Sequence, residues 1–306
     1  MLDEPLGAET ILLYHHSTGT DMAARFGRAE TGAKVLFYHN ITPPALLSNV
    51  PELAARCAEG LMQLHALAAT GCACVTPSEF NRQDLLRYGF RDVTVLPLAV
   101  SDELRGQLSK DDASDASGKP NQTEKMGTRF LHVGRILPHK AIEDVIGVVG
   151  LYQRNFDPDA RLMLIGARGA AASYDARLDA FVAENAIRNV ELTGEVNEEQ
   201  LAHAYRESDV YLCMSRHEGF CVPLAEAMIA GVPIVAKAAG AIAETVGGAG
   251  LVFGDEDLMV YAEAGRHVVT DGSVRKGLQA AGREQAESFT EKAFAKGLKA
   301  IMRVEA

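Results

Sequence analysis

Two carboxylates eight positions apart, Glu218 and Glu226, bracket the run Gly219-Phe220-Cys221-Val222-Pro223-Leu224-Ala225. Residues 209–214 before them are apolar strand formers. Pro223 suits the start of a helix, where its missing N–H costs nothing, and Gly231 suits a left-handed stop. Residues 232–236 read as the next buried strand. In an open α/β sheet, a loop leaving the carboxyl end of a strand and entering a helix is where ligands bind. Gly219 lets backbone amides approach a ligand, and the positive end of the following helix favours a phosphate. The helix dipole accounts for Glu226 without any ligand. It does not account for Glu218, and the residues alone fit an anion or sugar site and a turn without a ligand equally well.

Basic and imidazole groups stand at other strand ends. Residues 129–134 read as a strand, followed by Gly134-Arg135-Ile-Leu-Pro-His-Lys140. Arg135 offers a planar fork for phosphate and Lys140 a flexible point charge; alone, the two also fit a solvated surface pair. His39-Asn40 closes a strand, as a satisfied histidine or as a ligand contact. His15, His16 and Ser17 close the neighbouring strand and are expected to face the same space. Ser78 reads equally as a helix cap and as a ligand contact.

Taken together, Glu218-Gly-Phe-x5-Glu226 with the following Ala-Met-x2-Gly-x-Pro-Ile-Val resembles the E-x7-E signature of family 4, the retaining nucleotide-sugar glycosyltransferases of the GT-B fold. Val-Gly134-Arg135-Ile-x-Pro-x-Lys140 is similar to that family's Gly-Arg…Lys motif, and Tyr-His39-Asn40-Ile-Thr to its strand-end histidine motif. The resemblance implies that Glu218 holds hydroxyls of the donor sugar and Glu226 the ribose. It gives the loop of Gly219, Phe220 and Cys221, with Leu224 behind it, to the sugar and diphosphate. Gly134, Arg135 and Lys140 then neutralise the diphosphate, and His39 orients the sugar. His16, Ser17 and Asn40 become acceptor-side candidates, although Asn40 stands where Asp is usual. Ala141 stands where many members have glycine, and Glu244, in a G-x2-E turn, is read as structural. The loop Gly194-Glu195-Val196 is expected to pack against the nucleotide base, and the last helix to pack back on the first domain. No metal and no cofactor are expected. Asp157-Pro-Asp159 and Asp255-Glu-Asp257 fit loops, and the odd, scattered set of five cysteines has no zinc spacing.

The expected fold class is α/β, with two Rossmann-like domains facing across a cleft: residues 1–100 as an acceptor-side domain, 101–128 as a polar linker, and 129–306 as a nucleotide-sugar-binding domain with terminal helices. Strands alternating with helices imply parallel sheets covered on both faces. Family members place further β-α units and a glycine-rich loop ahead of the region matching Ile11. Only nine residues precede Thr10 here, so the first domain is expected to be incomplete, through a misplaced start or a shortened protein, and to expose apolar edge. The formal charge of −11 argues against nucleic acid as the main partner. The acidic start has no signal-peptide core, and no run reaches the roughly 18 apolar residues of a membrane span. The expected setting is cytoplasmic, with possible peripheral attachment at the inner membrane face during polysaccharide or lipopolysaccharide assembly. The expected partners are a nucleotide sugar and a glycan or lipid-linked acceptor. Two other readings stay open: a nucleotide-sugar-binding module without transfer activity, and a GT-B enzyme using sugar phosphate or pyridoxal phosphate.

Overall fold

The structure, a computed structural model, describes residues 10–30, 33–110 and 127–304. The nine residues ahead of Thr10, and with them the expected start of the first domain, lie outside the described residues. The first domain is built from β1 (Ile11–His16), α1 (Asp21–Arg28), β2 (Ala33–Tyr38), α2 (Pro51–Ala68), β3 (Ala73–Thr76), α3 (Glu79–Arg87) and β4 (Val93–Val95). Its strands run parallel in the order β1-β2-β3-β4. Helix starts follow local chemistry: the Thr20 side chain accepts from Met22 N at α1, and Ser78 accepts from Asn81 N at α3. Cys57 and Cys74 are buried, and Cys72 packs against the same core, as expected of small apolar side chains. β1 is the outer strand of this sheet among the described residues, and its Ile11 and Leu13 are each 39% exposed.

The second domain continues with α4 (Asp102–Leu108), β5 (Arg129–Val133), α5 (Ile142–Asn155), β6 (Arg161–Ile165), α6 (Ala172–Glu184), β7 (Val190–Gly194), α7 (Glu198–Arg206), β8 (Val210–Cys213), α8 (Val222–Ile229), β9 (Ile234–Lys237), α9 (Ile242–Val246) and β10 (Gly250–Phe253). Three helices close the chain, α10 (Leu258–Thr270), α11 (Gly272–Ala286) and α12 (Glu291–Val304). The parallel strands lie in the order β10-β9-β8-β5-β6-β7. All four residues of β8 are buried, as a central strand covered on both faces requires.

Two joins bind the halves. The stretch expected to be a plain polar linker opens with α4, capped by Ser101, whose Leu104 and Leu108 enter the core of the second domain. Polar composition hid that pair of apolar residues one helical turn apart. At the other end, α12 returns to the first sheet, where Phe294, Leu298 and Ile301 pack with Val35, Phe37, Val75 and Leu96. A methyl group at Gly297 would stand 2.4 Å from Leu96 Cδ1, so glycine permits this contact. The expected return of the last helix is therefore observed.

Candidate functional site

The strand order of the second sheet reverses between β5 and β8, which makes the gap between their carboxyl ends a topological switch point, the position where such sheets hold ligands. The loop after β5 carries Gly134, Arg135 and Lys140, and the loop after β8 carries residues 214–221. The two expected basic residues are placed differently. Arg135 is exposed, whereas Lys140 reaches Glu218, with Nζ 2.6 Å from Oε1. Burial alone would raise the Glu218 carboxyl, but the Lys140 ammonium and hydrogen bonds from Lys140 and Ser215 bring it below the usual carboxylate range. Burial pulls Lys140 down, but Glu218 raises it further, so both partners stay charged. Ala141, just past Lys140, adopts φ 49°. That left-handed conformation explains why glycine is at home there.

Glu226 lies within the first turns of α8 and differs from Glu218. It has no cationic partner among its hydrogen bonds: Tyr205 Oη donates to Oε2 at 2.7 Å. Burial raises its pKa, partly offset by the tyrosine. Gly231 ends the helix at φ 69°, as expected. Two buried histidines near the Lys140–Glu218 pair escaped the sequence reading. His132 Nδ1 contacts Leu212 O at 2.9 Å, and its Nε2, like His139 Nδ1, has no partner. Burial depresses both pKa values to about 4, Lys140 adding to the effect, so both rings are neutral. Strand and loop patterning marks such residues as core, and nothing in their spacing announces a site.

The first domain meets this loop edge-on. A Cβ at Gly219 would lie 2.5 Å from Asn40 Cβ and 2.8 Å from His39 O. The His39–Asn40 turn thus fills the space where a side chain at position 219 would stand, and glycine permits this close approach of the two domains. Asn40 has φ 75°, which asparagine tolerates. It donates to Asn81 Oδ1 at 2.6 Å, and its Oδ1 contacts His217 Nε2 at 2.6 Å. Asn40 thus joins the two domains. Ser78 caps α3 and also donates to Gly219 O at 2.7 Å. Glu244 supplies a second bond across the junction: its carboxylate accepts from Glu79 N at 2.6 Å and Phe80 N at 3.1 Å, closing the amino end of α3. The structural reading of Glu244 holds, with a partner that the sequence did not identify.

His39 Nε2 lies 2.6 Å from His15 Nδ1, and both rings stack on Phe37. Burial, then the neighbouring His15, lowers His39 to about 4. His16 is a correction. It is fully buried, with Nε2 3.0 Å from Gly60 O, and does not face the junction. Ser17 is exposed. The side chains of Phe220, Cys221 and Leu224 lie in the core of the second domain, Phe220 edge-on to Phe289. Only their backbone remains available for the expected contacts. The two Asp-x-Asp motifs serve their loops: Asp157 accepts from Thr128, and Asp257 caps α10. A cavity of about 850 Å³ beside β6, β7 and α7 includes Glu195 and Val196 in its lining but neither Lys140 nor Glu218.

Residues 114–285 match the family described as glycosyl transferases group 1. The chain belongs to this family. The D-inositol 3-phosphate glycosyltransferase of Corynebacterium diphtheriae is 27% identical over 236 residues, 74% of this chain and 54% of that protein. The O-antigen chain mannosyltransferase B of Escherichia coli is 29% identical over 162 residues, 52% of this chain and 42% of that protein. The chain spans about half the length of the curated relatives it matches. Among solved structures, sucrose-phosphate synthase from Thermosynechococcus elongatus superposes with a TM-score of 0.76 at 21% identity, covering 96% of this chain and 73% of that one. The fold of this group 1 glycosyl transferase chain is GT-B, as its motifs implied. No helix among the described residues is long and apolar enough to cross a membrane.

Proposed function

We propose that the chain moves a hexosyl unit from a nucleotide diphosphate sugar to an acceptor hydroxyl of a glycan, glycolipid or polysaccharide, with retention of anomeric configuration. The observation that carries this reading is the Lys140–Glu218 pair, with its carboxylate buried, at the switch point between β5 and β8. On this reading Lys140 and the exposed Arg135 stabilise charge growing on the leaving diphosphate, the electrostatic part of catalysis, and the amino end of α8 adds to it. Glu218 holds sugar hydroxyls, Glu226 the ribose, and His39 orients the sugar from the first domain. No step in this scheme needs a metal or other cofactor. Relatives named for O-antigen and inositol phosphate glycosylation support a glycan or lipid-linked acceptor, met at the cytoplasmic membrane face by peripheral attachment.

The test is thermal denaturation against UDP, GDP, ADP and their sugars. The matching nucleotide at ~100 times its Kd should add about 2.7 kcal/mol, and Arg135→Ala should shrink that gain while leaving the unliganded protein within about 0.5 kcal/mol. A folded sample stabilised by no nucleotide would overturn the reading. A second reading, a nucleotide-sugar-binding module without transfer, draws on β1 as the outer strand among the described residues, with Ile11 and Leu13 exposed. Stabilisation without release of nucleotide from the donor, in the presence of acceptor glycans, would favour that module.

A further inference from the structure

We infer that Cys213, Glu218 and Cys221 form a site for one thiophilic divalent cation of the zinc and cadmium class. Cys213 ends β8, Glu218 lies in the loop, and Cys221 is the residue that caps α8. Their ligand atoms all lie within 4.8 Å of one another, and all three residues are buried. Cys221 adopts φ 70°, a conformation uncommon for a residue with a side chain. That turn keeps its sulfur beside the end of β8 instead of on the outer face of the helix.

The donor set suits this class of ion. Two thiolates and a carboxylate around tetrahedral zinc stand roughly 3.5–3.8 Å apart, given metal–sulfur bonds of about 2.3 Å and metal–oxygen bonds of about 2.0–2.2 Å. A contraction of at most about 1.3 Å reaches that geometry from ligand atoms within 4.8 Å of one another. The Ser215 hydroxyl, 3.6 Å from Cys213 Sγ, or a water completes the fourth position. The charges also close: three anionic ligands against the cation and the Lys140 ammonium, which sits 2.6 Å from Glu218 Oε1. Binding releases the two thiol protons to solvent. The amino end of α8 opposes a bare cation but favours the thiolates that screen it. Cys57, Cys72 and Cys74 lie in the first domain and form no comparable cluster among the described residues.

The site shares Glu218 with the proposed sugar contact, and on that reading the ion inhibits transfer by competing with donor. The binding itself does not depend on that reading. Titration of the reduced, full chain with Cd²⁺ should raise an ultraviolet thiolate-to-cadmium band that saturates at one equivalent. Cys221→Ser and Cys213→Ser should each lose most of it, and Cys57→Ser should retain it. Cys221→Ser, at the loop end, serves as the decisive variant if Cys213→Ser within the central strand does not fold. No saturable band in the wild type, or an undiminished band in folded Cys221→Ser, would overturn the assignment whatever the outcome with nucleotide sugars.

Discussion

On the second-domain side of the junction, Lys140 and Glu218 meet at 2.6 Å with Arg135 exposed nearby. On the first-domain side stand His39 paired with His15, and Asn40 paired with Asn81. One side holds full charges in a buried setting. The other holds the neutral His39 ring and amides, and one of its ties across the junction is the Glu244 carboxylate contributed by the second domain. The surrounding sheets differ in the same sense. Among the described residues, the β5–β8 region is central in six strands, whereas β1 and β2 lie at one end of four. The contrast is one of chemistry: the second domain brings an ion pair to the junction, and the first domain brings uncharged hydrogen-bonding groups.

Breaking the charged side should have the largest effect. Lys140→Met leaves Glu218 buried without its cation and should cost about 3–5 kcal/mol in urea unfolding. Adding Glu218→Gln should recover part of it. A double-mutant cycle with no coupling between the two positions would remove the basis of the contrast. Next comes acid sensitivity. His132 has a folded pKa of about 4, below the unfolded value of about 6.5. The unfolded chain therefore takes up the proton first as pH falls. Stability is full above about 6.5 and is lost down to about 4, by about 3 kcal/mol for this group. Unfolding free energies of His132→Gln measured between those pH values should show a shallower slope than the wild type.

Smaller effects probe the neutral side and the second carboxylate. Glu244→Ala should cost about 1–2 kcal/mol, the worth of a helix cap, and amide exchange at Glu79 and Phe80 should quicken while exchange in β8 does not. Equal quickening in both would mean that the closure of α3 is not separate from the core. Glu226 has a raised folded pKa, so the sign is opposite to that of Glu218. Its ionisation costs the folded state stability as pH rises from the unfolded value of about 4.3 through the higher folded one. Glu218, with a depressed folded pKa, contributes stability above about 4.3 that is lost as pH falls through the folded value. Glu226→Gln should therefore raise the melting temperature slightly at neutral pH while weakening nucleotide binding. A lower melting temperature would show that the Tyr205 contact outweighs the burial of charge.

Much of the site was legible because it is local. Strand, loop and helix signals around residues 209–236 placed Glu218 in a loop and Glu226 in a helix, and Gly231 and Ser78 behave as the stops and caps their chemistry indicates. The misreadings share one cause. A position at a strand end implies exposure to the ligand space, yet His16 turns to Gly60 O; in the loop, the Phe220 and Leu224 side chains turn into the core and leave only backbone for a ligand. Spacing along a loop sets which residues sit near a strand end, but not which way each side chain turns. Nothing in the spacing of His132 or His139 sets them apart, and only the fold brings both rings near Lys140 and Glu218.

The amino-acid order settled, through periodicity, turn residues and two short motifs, that the chain forms parallel α/β domains with phosphate-suited loops after β5 and β8. Those signals act within a few residues and survive any arrangement of the rest. That Lys140 and Glu218, 78 positions apart, form one ion pair followed only from the packing of β5 against β8. The same holds for Glu244, which closes a helix 165 positions away. Strand pairing depends on the burial of whole faces and on which helices cover them. An apolar strand records that it is buried, while its neighbours are selected by the fold as a whole.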